Sequence, residues 1–132
     1  MFMQPLLSLI LALFLVPKDT PGEISKWRWE KRPLIIFVDS EKNPAYQKQL
    51  ALLQKEAAGL QLRDVVVLTC AGDYPELRSK YRVTKPGVTA LLIGKDGGEK
   101  WRVEKPFAVE ELLRVIDAMP MGSQEARSRE NR

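Results

Sequence analysis

Two uninterrupted apolar runs constrain the fold of this 132-residue chain more than any other feature. Pro33–Asp39 (PLIIFVD) and Asp64–Cys70 (DVVVLTC) are rich in β-branched residues and lack polar alternation. Strands with this pattern are typically buried on both faces of a sheet. Between the runs, Asn43 suits the cap of a helix and Pro44 its first turn. The order strand, helix, strand predicts a crossover connection and therefore a parallel pair of strands.

The helix between these strands is predicted from an apolar stripe with spacings of four and three residues. Its members are Tyr46, Leu50, Leu53, Ala57 and Leu60. The stripe predicts one continuous helix that ends near Gly59.

A hairpin is predicted in the second half of the chain. Apolar Val88–Ile93 and alternating Glu99–Val103 are joined by Gly94–Gly98 (GKDGG), with Asp-Gly at the tip. Pro75–Arg82, before the hairpin, has a proline suited to the first turn of a short helix. Pro106–Met119, after it, has the apolar spacing of a helix that Pro120 ends.

This order of elements, β-α-β-α-β-β-α, predicts an α/β, thioredoxin-like domain. Its mixed four-stranded sheet has strand order 2-1-3-4 and is flanked by helices. Leu34–Val38 would lie inside the sheet, between Asp64–Thr69 and Val88–Ile93. Ligands of such sheets bind beyond the carboxyl end of the first strand, which here is the segment Asp39–Pro44.

The front of the chain predicts export. Leu6–Val16 is an apolar run of eleven residues, too short to span a membrane and within the range of a secretory signal. We expect a signal peptide over 1–22, the folded domain over 23–122 and a disordered tail over 123–132. The predicted location is periplasmic or secreted, with no stable membrane span in the mature chain. The alternatives for the apolar run are a buried helix and a short membrane anchor.

Composition excludes several classes of function. The chain has no histidine and one cysteine, which removes Ser-His and Cys-His nucleophile pairs and any internal disulfide. Zinc sites lose their commonest nitrogen ligand, so no metal and no cofactor are expected. The net charge of +4 comes from bases interspersed with acids, a pattern that does not favour nucleic acid as a partner.

Four sequence blocks carry a resemblance to a known family: RPLIIFVDS, RDVVVL, LLIGKDGGEKWR and VIDAMPM. Together they resemble a thioredoxin-like domain of unknown function. That family occurs in small exported bacterial proteins and in vertebrate sushi-repeat and coiled-coil-domain extracellular-matrix proteins. The resemblance extends from about Trp27 to Met121. It implies a thioredoxin-like fold and an exported location, and it implies no reaction mechanism.

Dithiol chemistry requires a C-x-x-C motif at the start of the first helix, and DSEKNP has no cysteine there. Redox thioredoxins also carry a cis-proline before the third core strand, where this chain has Thr89. Cys70, at the end of an apolar strand, is interpreted as a buried and inert thiol. The alternative is a lone reactive thiol.

Four residues are candidates for ligand binding. Ser40 and Asn43 lie at the predicted helix N-terminus, where turn chemistry for Ser40 and capping for Asn43 are favoured over ligand binding. Lys95 and Arg102, with Arg32 and Lys100, could form an anion-binding patch or a charged, solvated sheet edge. Trp27 and Trp29 are predicted to share one face of an extended segment. That face would cover the core or form a platform that stacks on carbohydrate or peptide.

These observations favour an exported thioredoxin-fold module without a dithiol motif. We expect it to bind a protein or glycan partner in the cell envelope without catalysing a reaction. One alternative is a single-cysteine, peroxidase-like thiol enzyme that uses Cys70. The other is a small anion-binding protein that uses the N-terminus of the first helix.

Overall fold

The computed structural model describes residues 21–119. The strands are β1 (Arg32–Val38), β2 (Val65–Ala71), β3 (Thr89–Ile93) and β4 (Glu99–Val103). A 3-10 helix (Pro21–Trp27) precedes β1, and the α-helices are α1 (Pro44–Lys55), α2 (Ala57–Leu62), α3 (Pro75–Lys80) and α4 (Val109–Asp117). Most of the predicted signal peptide and all of the predicted tail lie outside the described residues. Within residues 21–119, no helix has both the length and the apolar character needed to cross a membrane.

The sheet has the predicted topology. Its strand order is β2-β1-β3-β4, with β1 parallel to β2 and antiparallel to β3, and β3 antiparallel to β4. Phe37 of β1 is paired with Cys70 of β2 on one side and with Thr89 of β3 on the other. The α/β, thioredoxin-like prediction is confirmed.

The absence of polar alternation in β1 has a direct cause, because both faces of this strand are covered. Leu34 and Ile36 face a core that also contains residues of α1, α2 and α4. Ile35 and Phe37 face a second core, which includes Leu77 of α3. Every residue from Arg32 to Val38 is buried. A central strand that is covered on both faces therefore has apolar residues at successive positions.

The prediction of one continuous helix after β1 is wrong. Glu56 interrupts it with φ −103° and ψ 21°, so that α1 ends at Lys55 and α2 begins at Ala57. Leu53 and Leu60 nevertheless lie in the same core. Because the apolar stripe continues across the break, its spacing contains no signal of the interruption.

The prediction of an extended Trp27–Trp29 segment is also wrong. Trp27 is the last residue of the 3-10 helix and packs against the second core. Trp29 has a left-handed backbone, φ 69°, and its side chain is exposed. Its backbone N–H donates a hydrogen bond to the carbonyl of Lys95 at 2.7 Å. The turn at Trp29 therefore separates the two indoles instead of aligning them.

The hairpin is confirmed, and its turn is closed by backbone and side-chain bonds. The N–H of Gly97 donates to the carbonyl of Gly94 at 3.0 Å, and the N–H of Gly98 donates to Asp96 Oδ1 at 2.9 Å. Gly97 has φ 90°, a conformation that glycine adopts without steric cost. The Asp-Gly pair thus meets the backbone requirement of the turn.

Candidate functional site

The loop at the carboxyl end of β1 uses its polar side chains for local structure. Ser40 Oγ accepts a hydrogen bond from the N–H of Lys42 at 3.1 Å. Asn43 Oδ1 caps α1 by accepting from the N–H groups of Ala45 (2.9 Å) and Tyr46 (3.3 Å). The capping role predicted for Asn43 is present. These bonds occupy helix N–H groups that a bound anion would need.

A shallow groove of about 400 Å³ lies at the same edge of the sheet. Its walls include Asp39 and Pro86, which places the loop after β1 opposite the segment before β3, as predicted. Arg78 and Lys85 contribute positive charge to it. Ser40 and Asn43 do not line this groove, so the two candidate residues and the groove do not form one site.

Cys70 is fully buried in the second core. Burial raises the pKa of its thiol from 9.0 to about 12, and the nearby Arg78 guanidinium opposes this shift only in part. Because the thiolate is the reactive form of cysteine, this environment suppresses nucleophilic chemistry at neutral pH. The geometry matches the inert interpretation of Cys70.

Lys95 is part of a charged cluster centred on a buried carboxylate. Its Nζ donates to Asp64 Oδ2 at 2.8 Å, and both side chains are about nine-tenths buried. Lys31 Nζ lies 3.6 Å from the other oxygen of Asp64. Asp64 has φ 58°, and its carbonyl accepts a bond from the N–H of Arg32 at 2.7 Å. The cluster fixes Lys95 at the base of the hairpin.

Arg102 is directed away from Lys95. Its guanidinium donates to the carbonyls of Tyr81 and Arg82, just after α3, and binds both carboxylate oxygens of Glu99. The hydrogen bond to Glu99 also raises the pKa of Arg102. Arg102 thus ties the hairpin to the end of α3.

The predicted patch of four cations is therefore divided. Arg32, Lys95 and Lys100 line one groove at the base of the hairpin, and Arg102 does not. One important member of this region, Asp64, was missed by sequence reasoning, which interpreted it only as the start of a strand. Trp29 was considered as part of a stacking platform, but in an extended segment that the structure does not have. The one available signal for Asp64 was a carboxylate directly before an otherwise apolar run.

Comparison with known proteins identifies the family. The sequence profile described as "Domain of unknown function (DUF4174)" matches residues 23–125. The chain belongs to the DUF4174 family. Within residues 21–119, this DUF4174 match covers all the helices and strands that follow the 3-10 helix.

Two curated relatives are larger proteins that this chain matches over part of their length. Coiled-coil domain-containing protein 80 of Danio rerio is 26% identical over 139 residues, covering 83% of this chain and 16% of the relative. Sushi repeat-containing protein SRPX2 of Homo sapiens is 28% identical over 125 residues, covering 82% of this chain and 27% of the relative. The DUF4174 chain therefore spans about a quarter or less of the length of these relatives.

Solved structures with a similar fold include redox proteins. A reduced 2-Cys peroxiredoxin of Plasmodium vivax superposes with a TM-score of 0.63 at 17% identity, covering 76% of this chain and 84% of that chain. A thioredoxin from Thermus thermophilus gives 0.56 at 22% identity, covering 76% and 82%. At these identities the DUF4174 chain shares the thioredoxin-like fold with them, and the similarity establishes nothing about activity.

Proposed function

We propose that this chain is an exported thioredoxin-fold module that binds a protein or glycan partner in the cell envelope and catalyses no reaction. The burial of Cys70 is the observation that carries the proposal. The only sulfur nucleophile in the sequence is enclosed in the second core, with its pKa raised to about 12. Thiol catalysis requires an accessible thiolate, and this position provides neither the access nor the ionisation.

The helix N-terminus supports the same conclusion. In a dithiol enzyme this position holds the attacking cysteine, whereas here Asn43 caps the helix through its own side chain. The loop before it has Ser40 in a local turn. Redox members of this fold perform their chemistry at the N-terminus of this helix. In this chain the same residues have a structural role.

Export is the second part of the proposal. It is supported by the apolar run Leu6–Val16 and by the chain's resemblance to a family that occurs in exported and matrix proteins. A DUF4174 domain within proteins named for sushi repeats is consistent with a binding module in a larger assembly. Fractionation of cells that express the chain with a C-terminal tag tests it. We expect a processed form outside the cytoplasmic membrane, and an unprocessed cytoplasmic form would contradict export.

The competing function is a peroxidase-like enzyme that uses Cys70. The test measures turnover of hydrogen peroxide and of a small disulfide by the purified chain, with dithiothreitol as reductant. Cys70→Ala is the matched control. We expect the same background rate for both proteins. A rate that exceeds background and disappears in Cys70→Ala would replace the binding proposal with the enzyme.

A further inference from the structure

We draw no further inference here: the strongest candidate, the groove at the base of the hairpin that exposed Trp29, Lys100 and Met119 line, carries nothing, because no feature of residues 21–119 shows what covers it.

Discussion

Cys70 and Thr89 flank Phe37 in one row across the sheet, so that the side chains of these three residues share one face. Cys70 and Phe37 belong to the core that also contains Leu77 of α3. Arg78 of α3 lies over the Phe37 ring, with Cζ 5.6 Å from its centroid. The thiol of Cys70 therefore packs in a row across the sheet, one strand away from the loop after β1 where a redox thioredoxin holds its cysteines.

The buried hydroxyl of Thr89 yields the first prediction. Thr89 is 1% exposed, and its Oγ1 has no hydrogen-bond partner in the part of the chain that the structure describes. Thr89→Val keeps the shape and removes an unsatisfied polar atom, so we expect unchanged stability or a gain of up to about 1 kcal/mol. Urea unfolding monitored by circular dichroism measures this. A loss greater than about 1 kcal/mol would show that the hydroxyl has a partner.

The raised pKa of Cys70 predicts a loss of stability in alkali. Its pKa is 9.0 when unfolded and about 12 when folded, so the unfolded chain loses this proton first. The contribution of the buried thiol to the free energy of unfolding is complete below pH 9. It declines as the pH rises toward 12, by up to about 1.4 kcal/mol per pH unit. Burial also raises the pKa values of Tyr46 and Tyr81; Tyr81 acts in the parent and in Cys70→Ala alike, whereas the charge of an ionised Cys70 adds to the raised pKa of Tyr46.

Comparison of the parent with Cys70→Ala therefore measures the cysteine together with its effect on the pKa of Tyr46. Denaturant unfolding of both proteins between pH 7 and 11 should show the parent losing stability more steeply above pH 9. Parallel curves would mean that the thiol is ionised as easily in the folded chain as in the unfolded one.

Gln49 makes a buried connection between α1 and the segment before α4. Its Nε2 donates to the Phe107 carbonyl at 3.0 Å, and its Oε1 accepts from the Phe107 N–H at 2.8 Å. Gln49→Leu would leave both backbone groups of Phe107 buried and unpaired, which we expect to cost roughly 2–4 kcal/mol. Gln47→Leu, on the exposed side of the same helix, should change stability by less than about 0.5 kcal/mol. Equal effects in urea unfolding would rule out this role.

The ion pair between Arg63 and Asp117 predicts acid sensitivity. Arg63 donates two hydrogen bonds of 2.8 Å to the Asp117 carboxylate, which lower its pKa below 3.8. A lowered pKa stabilises the folded chain above 3.8, and this contribution is lost as the pH falls through the folded value. Because the Asp117 side chain is 41% exposed, we expect at most about 1 kcal/mol at pH 7.

Asp117→Asn should therefore be less stable than the parent at pH 7, and the difference should shrink as the pH falls below 3.8 in thermal unfolding scans. Asp73→Asn, which removes an exposed carboxylate elsewhere on the surface, is the matched control. A difference between parent and Asp117→Asn that persists at low pH would contradict the ion-pair explanation.

The strands and their order were predictable because their patterns have single physical causes. A strand such as β1, with both faces covered, requires an apolar run, and a tight hairpin requires residues such as Gly97 that accept a positive φ. The lack of a dithiol motif was likewise visible in the sequence. The turn and capping roles of Ser40 and Asn43 were also accessible from the sequence, because both follow from local backbone geometry, while ligand binding by these residues stays a prediction.

The candidate groove could not be predicted, since it depends on tertiary contacts. Trp29 has the alternation of a strand residue, and its left-handed turn is fixed by a bond to Lys95, 66 positions later. Asp64 is buried because Lys31 and Lys95 lie beside it. Gln49 lies three residues after Tyr46, on the buried side of α1. Because glutamine is usually exposed, the sequence did not predict that its side chain is buried.

The pH dependence of Cys70 alkylation tests the central claim most directly, namely that this thioredoxin fold has no reactive thiol. Iodoacetamide labelling of the native chain is followed by mass spectrometry from pH 6 to 10, with the urea-unfolded chain as reference. We predict slow labelling at neutral pH and no rate plateau below pH 9, while the unfolded chain reacts quickly. Fast labelling of the native chain with a plateau below pH 9 would contradict the account.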